Sequence, residues 1–420
     1  MRKKTVIISG IGNTLNNGCW AMAHATMSLL KKQYPDISFI YIYNFFSKDK
    51  ERLKREDTTF IYSPWTRIRV PKVRFIYSYI CALLILLNII LYRSFKLSLF
   101  YRKFSRYIFS ADLLIDLSGD SISTDYKDYS VFFQMLLPLK MLLLNKPYCF
   151  YAQSIGPFRK GMLYAIVKFV IRKSAIVTAR ERITYNYLMT HGIKGNVFLT
   201  GDSAFLLEAA RGGYLQDIIH EIGVNKNTEY IGISISSLII KYVSEKGSAK
   251  NYINVMAKLC DHIVENYNFE LIFIPHVMIP GNDDRVISNL VKDAMKYKNK
   301  VIIVETEYNA SELKGIIGYC YAFIALRMHA AIAAVSQNIP TVVFAYNHKT
   351  YGIFDDMLGM KDLIIDIRDL SKEDFLKDVL SKIDYLIKNL GQIKGYLEIV
   401  IPSIKEKAME NMALCEKYLK

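Results

Sequence analysis

Two series of short, apolar, β-branched runs, closed by glycine or polar turns, organise this chain. The first series covers Thr5 to Ser9, Ile37 to Tyr43, Leu113 to Leu117, Tyr148 to Ala152, Ile176 to Ala179 and Val197 to Thr200. The second covers Tyr230 to Ile235, Glu270 to Pro275, Val301 to Val304, Ala322 to Ala325 and Thr341 to Ala345. Helical periodicity fills the gaps, as over Tyr252 to Asn266 and Asp284 to Lys296. Strand and helix therefore alternate, which predicts mainly parallel sheets.

The series meet around Ala209 to Thr228, where Gly212-Gly213 and Gly223-Val-Asn-Lys-Asn-Thr228 read as loops. The expected fold class is α/β, with two Rossmann-like doubly wound domains facing a cleft. Residues 1–208 form the first domain, 226–400 the second, and 401–420 a terminal helix with Pro402 in its first turn, packing back on the first half. Open α/β sheets bind ligands at the carboxyl ends of their strands, so the chemistry belongs in the strand-end loops.

Composition narrows the class. With 420 residues and 52% hydrophobic content the chain builds sizeable cores, which excludes disorder. No repeat of solenoid length is present. The six cysteines lie far apart, without a C-x-x-C pair or clustered histidine, so neither a disulfide framework nor a structural zinc site is signalled, and a reducing compartment is expected. The basic start, Met1-Arg-Lys-Lys-Thr-Val-Ile-Ile-Ser-Gly10, has too short an apolar stretch for a signal-peptide core and reads as the first buried strand.

Charge is concentrated. The formal net charge is +16, and the window from Lys48 to Arg106 holds 14 basic and 4 acidic residues, a surplus of ten. Inside it Phe75 to Tyr92 carries no charge, with Arg67, Arg69, Lys72 and Arg74 before it and Arg93, Lys96, Arg102, Lys103 and Arg106 after. Eighteen residues make about 27 Å of helix, close to the hydrocarbon thickness of a bilayer. A span would put strands of one sheet on opposite sides of the membrane, basic residues on both flanks give no orientation, and Ser78 and Asn88 interrupt the run. The expected arrangement is a membrane-associating segment, about 67–106, whose apolar side dips into the interface and whose basic flanks meet anionic headgroups. A helix buried in the α/β core is the competing reading. No nucleic-acid motif accompanies the charge, so nucleic acid is not an expected partner.

The strand ends carry candidate chemistry. After the first strand, Gly10-Ile-Gly-Asn-Thr-Leu-Asn-Asn-Gly18 leads into a helix, and its glycines let backbone approach a ligand at the helix start; a plain tight turn reads equally well. Leu113-Leu-Ile-Asp-Leu-Ser-Gly-Asp120 delivers Asp120, able to hold a sugar hydroxyl or take its proton, with Asp125 and Tyr126 beyond; a helix cap is the bland alternative. Tyr151-Ala-Gln-Ser-Ile-Gly-Pro157 and Thr178-Ala-Arg-Glu-Arg-Ile-Thr184 end two further strands, and Arg180, nearest its strand end, is favoured over Arg182 to face a ligand. His276 closes another strand, with Asp283 and Asp284 beyond. In Ala325-Leu-Arg-Met-His-Ala330 a guanidinium, Arg327, and an imidazole, His329, stand at a helix entrance, suited to an anionic donor and an acid/base step unless they only satisfy buried carbonyls. Lys349 adds a cation after the next strand.

Asn13 to Gly18, Ser118-Gly-Asp120, Ser154-Ile-Gly-Pro157, Arg180-Glu-x-x-Thr184, Gly201-Asp202, Pro275-His276, Leu326-Arg-Met-His-Ala-Ala-Ile-Ala-Ala334 with Pro340, and Tyr346-x-x-Lys349 together resemble the polysaccharide pyruvyltransferases over roughly Val6 to Gly359. The resemblance implies two Rossmann-like halves similar to the GT-B glycosyltransferases. It implies transfer of a pyruvyl ketal from phosphoenolpyruvate to two hydroxyls of a sugar. Together with the basic apolar window, the expected setting is assembly of a cell-surface polysaccharide or its lipid-linked precursor, with the protein cytoplasmic and peripheral on the inner face of the cell membrane. His329 and Asp120 are the expected catalytic residues, and Arg327, Arg180, Lys349, His276, Asn17 and Gly18 the expected substrate contacts. Arg327, Arg180 and Lys349 offset the donor's charge, so no metal or other cofactor is expected. A homo-oligomer is compatible with this reading. Cys19 stands where many members have an acidic residue, and Ser118-Gly-Asp120 replaces a glycine-rich form. A GT-B glycosyltransferase with a nucleotide-sugar donor, and a glycan- or membrane-binding module without chemistry, are the alternatives.

Overall fold

The computed structural model describes residues 3–43, 47–53, 56–64, 71–95, 97, 99–124, 128–159, 161–242, 248–346 and 348–420. Of the residues singled out above, Arg67, Arg69, Lys96, Asp125 and Tyr126 lie outside the described residues. The backbone divides into two compact units: Met1–Thr14, Met22–Ser203 and Lys407–Lys420 in one, Leu15–Ala21 and Ala204–Glu406 in the other.

In the first unit, strands β1 (Thr5–Ser9), β2 (Ser38–Tyr43), β3 (Thr58–Tyr62), β4 (Leu113–Asp116), β5 (Tyr148–Gln153), β6 (Ile176–Ala179) and β7 (Val197–Leu199) form one sheet in the order β3-β2-β1-β4-β5-β6-β7. Every pairing in it is parallel. Parallel neighbours require crossovers, supplied by α1 (Asn17–Gln33), α2 (Ser47–Arg52), α3 (Pro71–Phe95), α4 (Arg102–Ser110), α5 (Asp128–Leu143), α6 (Met162–Arg172) and α7 (Arg182–Thr190). Burial on both faces explains why the central strands are apolar throughout rather than alternating, as in Leu113–Asp116, where every residue is buried. Ile7, Ile40, Leu114 and Tyr148 pack with Ile89, Phe104, Ile108, Met135 and Val167 from the covering helices. The strand order reverses between β1 and β4, so the loops after these two strands emerge side by side.

The second unit repeats the plan. Strands β8 (Tyr230–Ser234) and β9 (Glu270–Phe273) are followed by a short hairpin, β10 (Met278–Ile279) with β11 (Asn282–Asp283), and by β12 (Val301–Ile303), β13 (Cys320–Ala325), β14 (Thr341–Ala345) and β15 (Ile364–Asp366). Six of these form a parallel sheet in the order β12-β9-β8-β13-β14-β15. Helices α8 (Gly212–Glu221), α9 (Ser248–Tyr267), α10 (Asp284–Ala294), α11 (Ala310–Ile317), α12 (Met328–Val335), α13 (His348–Tyr351), α14 (Phe375–Lys388) and the part of α15 (Leu390–Cys415) up to Glu406 complete it, and the rest of α15 belongs to the first unit. Its switch lies between β8 and β13, the strand that leads to Arg327 and His329.

Three expectations are corrected. Two edge strands, β3 and β15, escaped the pattern because each is short and bordered by charged residues. The supposed loop over Ala209 to Thr228 contains α8, whose Leu215, Ile218 and Ile219 bury a helical stripe, and Gly212-Gly213 opens that helix instead of marking a linker. The terminal helix does not begin near Pro402. It starts at Leu390, because Ile393, Leu397, Ile401, Ile404 and Ala408 continue one buried stripe through the proline, whose exposed position leaves the freed carbonyl to solvent.

Helix α3 contains the uncharged run. No helix among the described residues is long and apolar enough to cross a membrane. One face of α3 is packed: Ile89 is in the core, and Tyr92 stacks on Phe109 of α4 with ring centroids 3.7 Å apart. Asn88, which in sequence looked like an interruption, is buried and joins the two helices. Its Nδ2 donates to the Phe100 carbonyl at 3.0 Å and to Ser105 Oγ at 2.7 Å, and its Oδ1 accepts from the amides of Leu99 at 2.7 Å and Phe100 at 3.2 Å. A buried amide stripped of such partners costs on the order of 1–3 kcal/mol per orphaned group. Asn88→Ala should therefore lower the stability of the chain by about 2 kcal/mol in denaturant unfolding, and a change within experimental error would show that this network does not anchor α3.

Candidate active site

The second unit gathers most of the residues expected to act. Arg327 is the N-cap of α12, immediately after β13, and its guanidinium is turned to a carboxylate instead of the helix end. Its Nη2 meets Asp284 Oδ1 at 2.6 Å and its Nε meets Asp284 Oδ2 at 3.1 Å. The same carboxylate accepts the amides of Val277 at 3.0 Å and His276 at 3.3 Å. Burial raises the Asp284 pKa, opposed by Arg327 and by these amides. This side-on pairing uses Nε and Nη2, and leaves Nη1 outside it for a planar anion.

His276 is buried beside this pair. Its pKa is lowered to about 4, chiefly by burial, with His329 and Arg327 adding to the effect and a contact of Nδ1 with the Ile274 carbonyl at 3.3 Å opposing it. The imidazole is therefore neutral at neutral pH. The segment after β9 also captures the end of the first glycine-rich loop: the Asn17 amide donates to the His276 carbonyl at 2.9 Å, the Met278 amide donates to the Leu15 carbonyl at 2.9 Å, and Asn16 bridges Val277. Asn17 is itself buried.

Gly18 meets a side chain of the same unit. It lies against the imidazole of His329, and a Cβ built on it would stand 2.2 Å from His329 Nδ1 and 2.5 Å from Cγ, closer than any real side chain comes. Its lack of a side chain makes room for the histidine, so the close backbone approach serves His329.

Asn17, His276 and His329 line a cavity of about 10 Å³ together with Lys314, a residue not picked out in the sequence. That volume holds about one water molecule. Lys314 lies on α11, where Asn309 and Glu312 form a capping box, and an Ala-Ser-Glu-Leu-Lys pattern ordinarily puts the lysine in solvent. Here Nζ is buried and donates to the Leu207 carbonyl at 2.6 Å. Burial, then Lys405 and Arg211, lower its pKa to about 7, against Glu208. An ammonium of that acidity can exchange a proton near neutral pH. Lys349 is buried on α13 and is not among the residues lining this cavity.

The first unit holds the other two expected residues. Arg180 is buried, with Nη1 on Asp202 Oδ2 at 2.7 Å and Nε on Ser154 Oγ at 2.8 Å. Burial opposes its charge, but Asp202, Asp120 and Glu181 outweigh it and raise its pKa. The Arg180-Glu-x-x-Thr184 element is partly a cap: Glu181 is the N-cap of α7 and accepts the Thr184 amide at 2.7 Å, while Arg182 is exposed. Asp120 is half-buried in the turn after β4 and bears electrostatically on Arg180; α5 begins only at Asp128, so Asp120 does not cap it. Beneath this turn Asp116 is fully buried, accepting Ser9 Oγ at 3.1 Å, the Ser118 amide at 3.0 Å and the Ser118 hydroxyl. Gly10, at φ 84°, allows the approach of β1 to this turn, since a Cβ there would lie 2.5 Å from the Ser118 nitrogen. Among the described residues no group of three or more His, Cys, Asp or Glu side chains is placed to hold a metal ion.

A model of the polysaccharide pyruvyl transferase family matches residues 16–348, a span that contains both arginines, both histidines and Asp120. The chain belongs to this family. One relative is the amylovoran biosynthesis protein AmsJ of Erwinia amylovora, 24% identical over 261 residues, covering 60% of this chain and 61% of AmsJ. The chain thus aligns with less than two thirds of that relative's length. Solved structures share the fold at low identity. S. aureus MnaA, in a co-structure with UDP, superposes with a TM-score of 0.61 at 11% identity, covering 99% of this chain and 96% of that one. A glycosyltransferase from Rickettsia africae superposes with a TM-score of 0.58 at 13% identity over 100% of both chains. The architecture of this pyruvyl transferase family member is GT-B-like, two Rossmann-like α/β domains.

Two predictions follow from the geometry around His329. Gly18→Ala should destabilise the chain by about 1–3 kcal/mol through overpacking against the imidazole. In the double variant Gly18→Ala/His329→Ala most of that loss should disappear, so additive effects in denaturant unfolding would exclude the contact. The second concerns His276. Its imidazole takes a proton near 6.5 in the unfolded chain but only near 4 when folded. Between those values the unfolded state binds more protons, so the contribution of His276 is intact above about pH 6.5 and fades as pH falls toward 4, by ~3 kcal/mol in all. His276→Gln should show a correspondingly shallower loss of stability between pH 7 and 4.5, and parallel curves for the two proteins would refute the shift.

Proposed function

We propose that this protein transfers the pyruvyl group of phosphoenolpyruvate to two hydroxyls of a sugar on a cell-surface polysaccharide or its lipid-linked precursor, forming a ketal and releasing phosphate. What supports the reading is that His329 and a carboxylate-held Arg327 both stand at the start of α12, inside the span matched by the pyruvyl transferase family.

The reaction asks for charge neutralisation and proton transfer. One sugar hydroxyl adds to C2 of the donor and gives up its proton, while C3 gains a proton and becomes a methyl group. The C2–O bond to phosphate then breaks, phosphate leaves with the bonding pair, and the oxocarbenium-like carbon is captured by the second hydroxyl, which gives up its proton. Arg327, fixed by Asp284, presents Nη1 to the donor carboxylate or phosphate without having to reorganise. His329 supplies and removes protons, and neutral His276 beside it keeps a second positive charge away from that ring. Lys314 offers a further exchangeable proton next to the imidazole. Lys349 offsets the donor's remaining negative charge, and Asn17 contributes to substrate binding.

Phosphate release from phosphoenolpyruvate, assayed with free and lipid-linked glycosides, tests the proposal. His329→Ala should lower turnover by on the order of 10²–10⁴-fold with its melting temperature retained. Wild-type turnover in that variant would remove the catalytic assignment. Consumption of a nucleotide sugar, with phosphoenolpyruvate left untouched by every acceptor, would replace the reaction itself.

A further inference from the structure

Helix α3 is apolar on both sides, and among its described side chains the two faces differ in burial. Against the packed face of Asn88, Ile89 and Tyr92, the opposite face carries Ile80, Leu83, Leu87 and Ile90 at successive spacings of three and four, which aligns them along one line of the helix. They are 49%, 64%, 44% and 59% exposed. Phe95, Leu97 and Leu99, at the helix end and just beyond it, are exposed as well. Isolated exposed leucines are ordinary, but a continuous stripe prolonged by three more large apolar residues is a docking surface.

Charge identifies the occupant. The chain folds back from α3 into α4, held by the Asn88–Ser105 hydrogen bond and the Tyr92–Phe109 stack. Helix α4 buries Phe104, Ser105 and Ile108 and turns Arg102, Lys103 and Arg106 outward. Arg93, at the last turn of α3, is exposed too, with Nη1 on the Leu143 carbonyl at 2.8 Å. An exposed apolar stripe on α3, with four exposed cations on its last turn and on the helix folded against it, suits an acyl layer with anionic headgroups above it. A second copy of this chain is disfavoured, because a two-fold contact through α3 would bring identical cations towards one another. We infer that the outer face of α3, together with the exposed cations of Arg93 and α4, is a docking surface for an anionic lipid bilayer, on which the protein lies without crossing it. The inference is independent of the pyruvyl reading, since it involves neither Arg327 nor His329.

Flotation of the full-length chain with vesicles separates the possibilities, and it needs no donor or acceptor. Vesicles of phosphatidylcholine mixed with phosphatidylglycerol should carry the protein at low salt, and phosphatidylcholine alone should carry much less. Leu83→Glu/Ile90→Glu alters only exposed positions, so folding and melting temperature should be kept while the partition coefficient falls on the order of a hundredfold. Arg102→Ser/Lys103→Ser/Arg106→Ser should lose a similar factor on the anionic vesicles and little on the neutral ones. Failure of the wild-type chain to float, or flotation of the double glutamate variant at the wild-type level, would overturn the inference. So would a wild-type dimer in sedimentation velocity that the double glutamate variant turns into monomer without any vesicle binding.

Discussion

One buried carboxylate, Asp284, organises the candidate site of the second unit. It begins α10, receives two amides from the segment after β9, and pairs through both oxygens with the guanidinium at the start of α12. The stretch from His276 to Asp284 and the start of α12, 43 positions beyond Asp284, are thereby held at one point. Taking two charges out of water is costly, and such a pair is tolerated where geometry is good and further donors reach it, as the two amides do here. Its benefit is positional: Arg327 has little freedom left, so any anion meeting its unused edge finds the donor already oriented. The segment after β9 in turn presents the His276 carbonyl to Asn17, which brings Gly18 under the imidazole of His329.

The first unit solves a similar problem with similar parts. Arg180 follows β6, is buried, and is held by Asp202 and Ser154, much as Arg327 is held by Asp284. Each guanidinium sits at the carboxyl end of a parallel strand, where a doubly wound sheet leaves room for ligands. In both units, then, a carboxylate holds a buried guanidinium in place. The bases of the second unit are set differently. Burial keeps His276 neutral and brings Lys314 close to half-protonation at neutral pH.

Helix α3 shows how one segment can satisfy two environments. A polar residue in an apolar run, Asn88, marks the face turned to the protein, because only a buried amide with four partners is worth keeping there. The residues on the other side carry no such constraint from the fold, and they remain large and apolar.

The local pattern of the chain was enough to define the two parallel α/β series, most strand positions, and the place of the arginine and histidine at the entrance of α12. These depend on periodicity and on which residue follows a strand, both of which are written in neighbouring positions. Packing decided the rest. Gly18 reads as an ordinary turn glycine until His329, more than three hundred positions away, is seen against it. Lys314 reads as a solvated lysine until α11 is found pressed into the unit. Asn88 reads as a break in an apolar helix, and Pro402 as the start of one, because which side of a helix is covered depends on segments distant in sequence. Local sequence encodes the period of an element, whereas burial and the company a side chain keeps are properties of the folded chain as a whole.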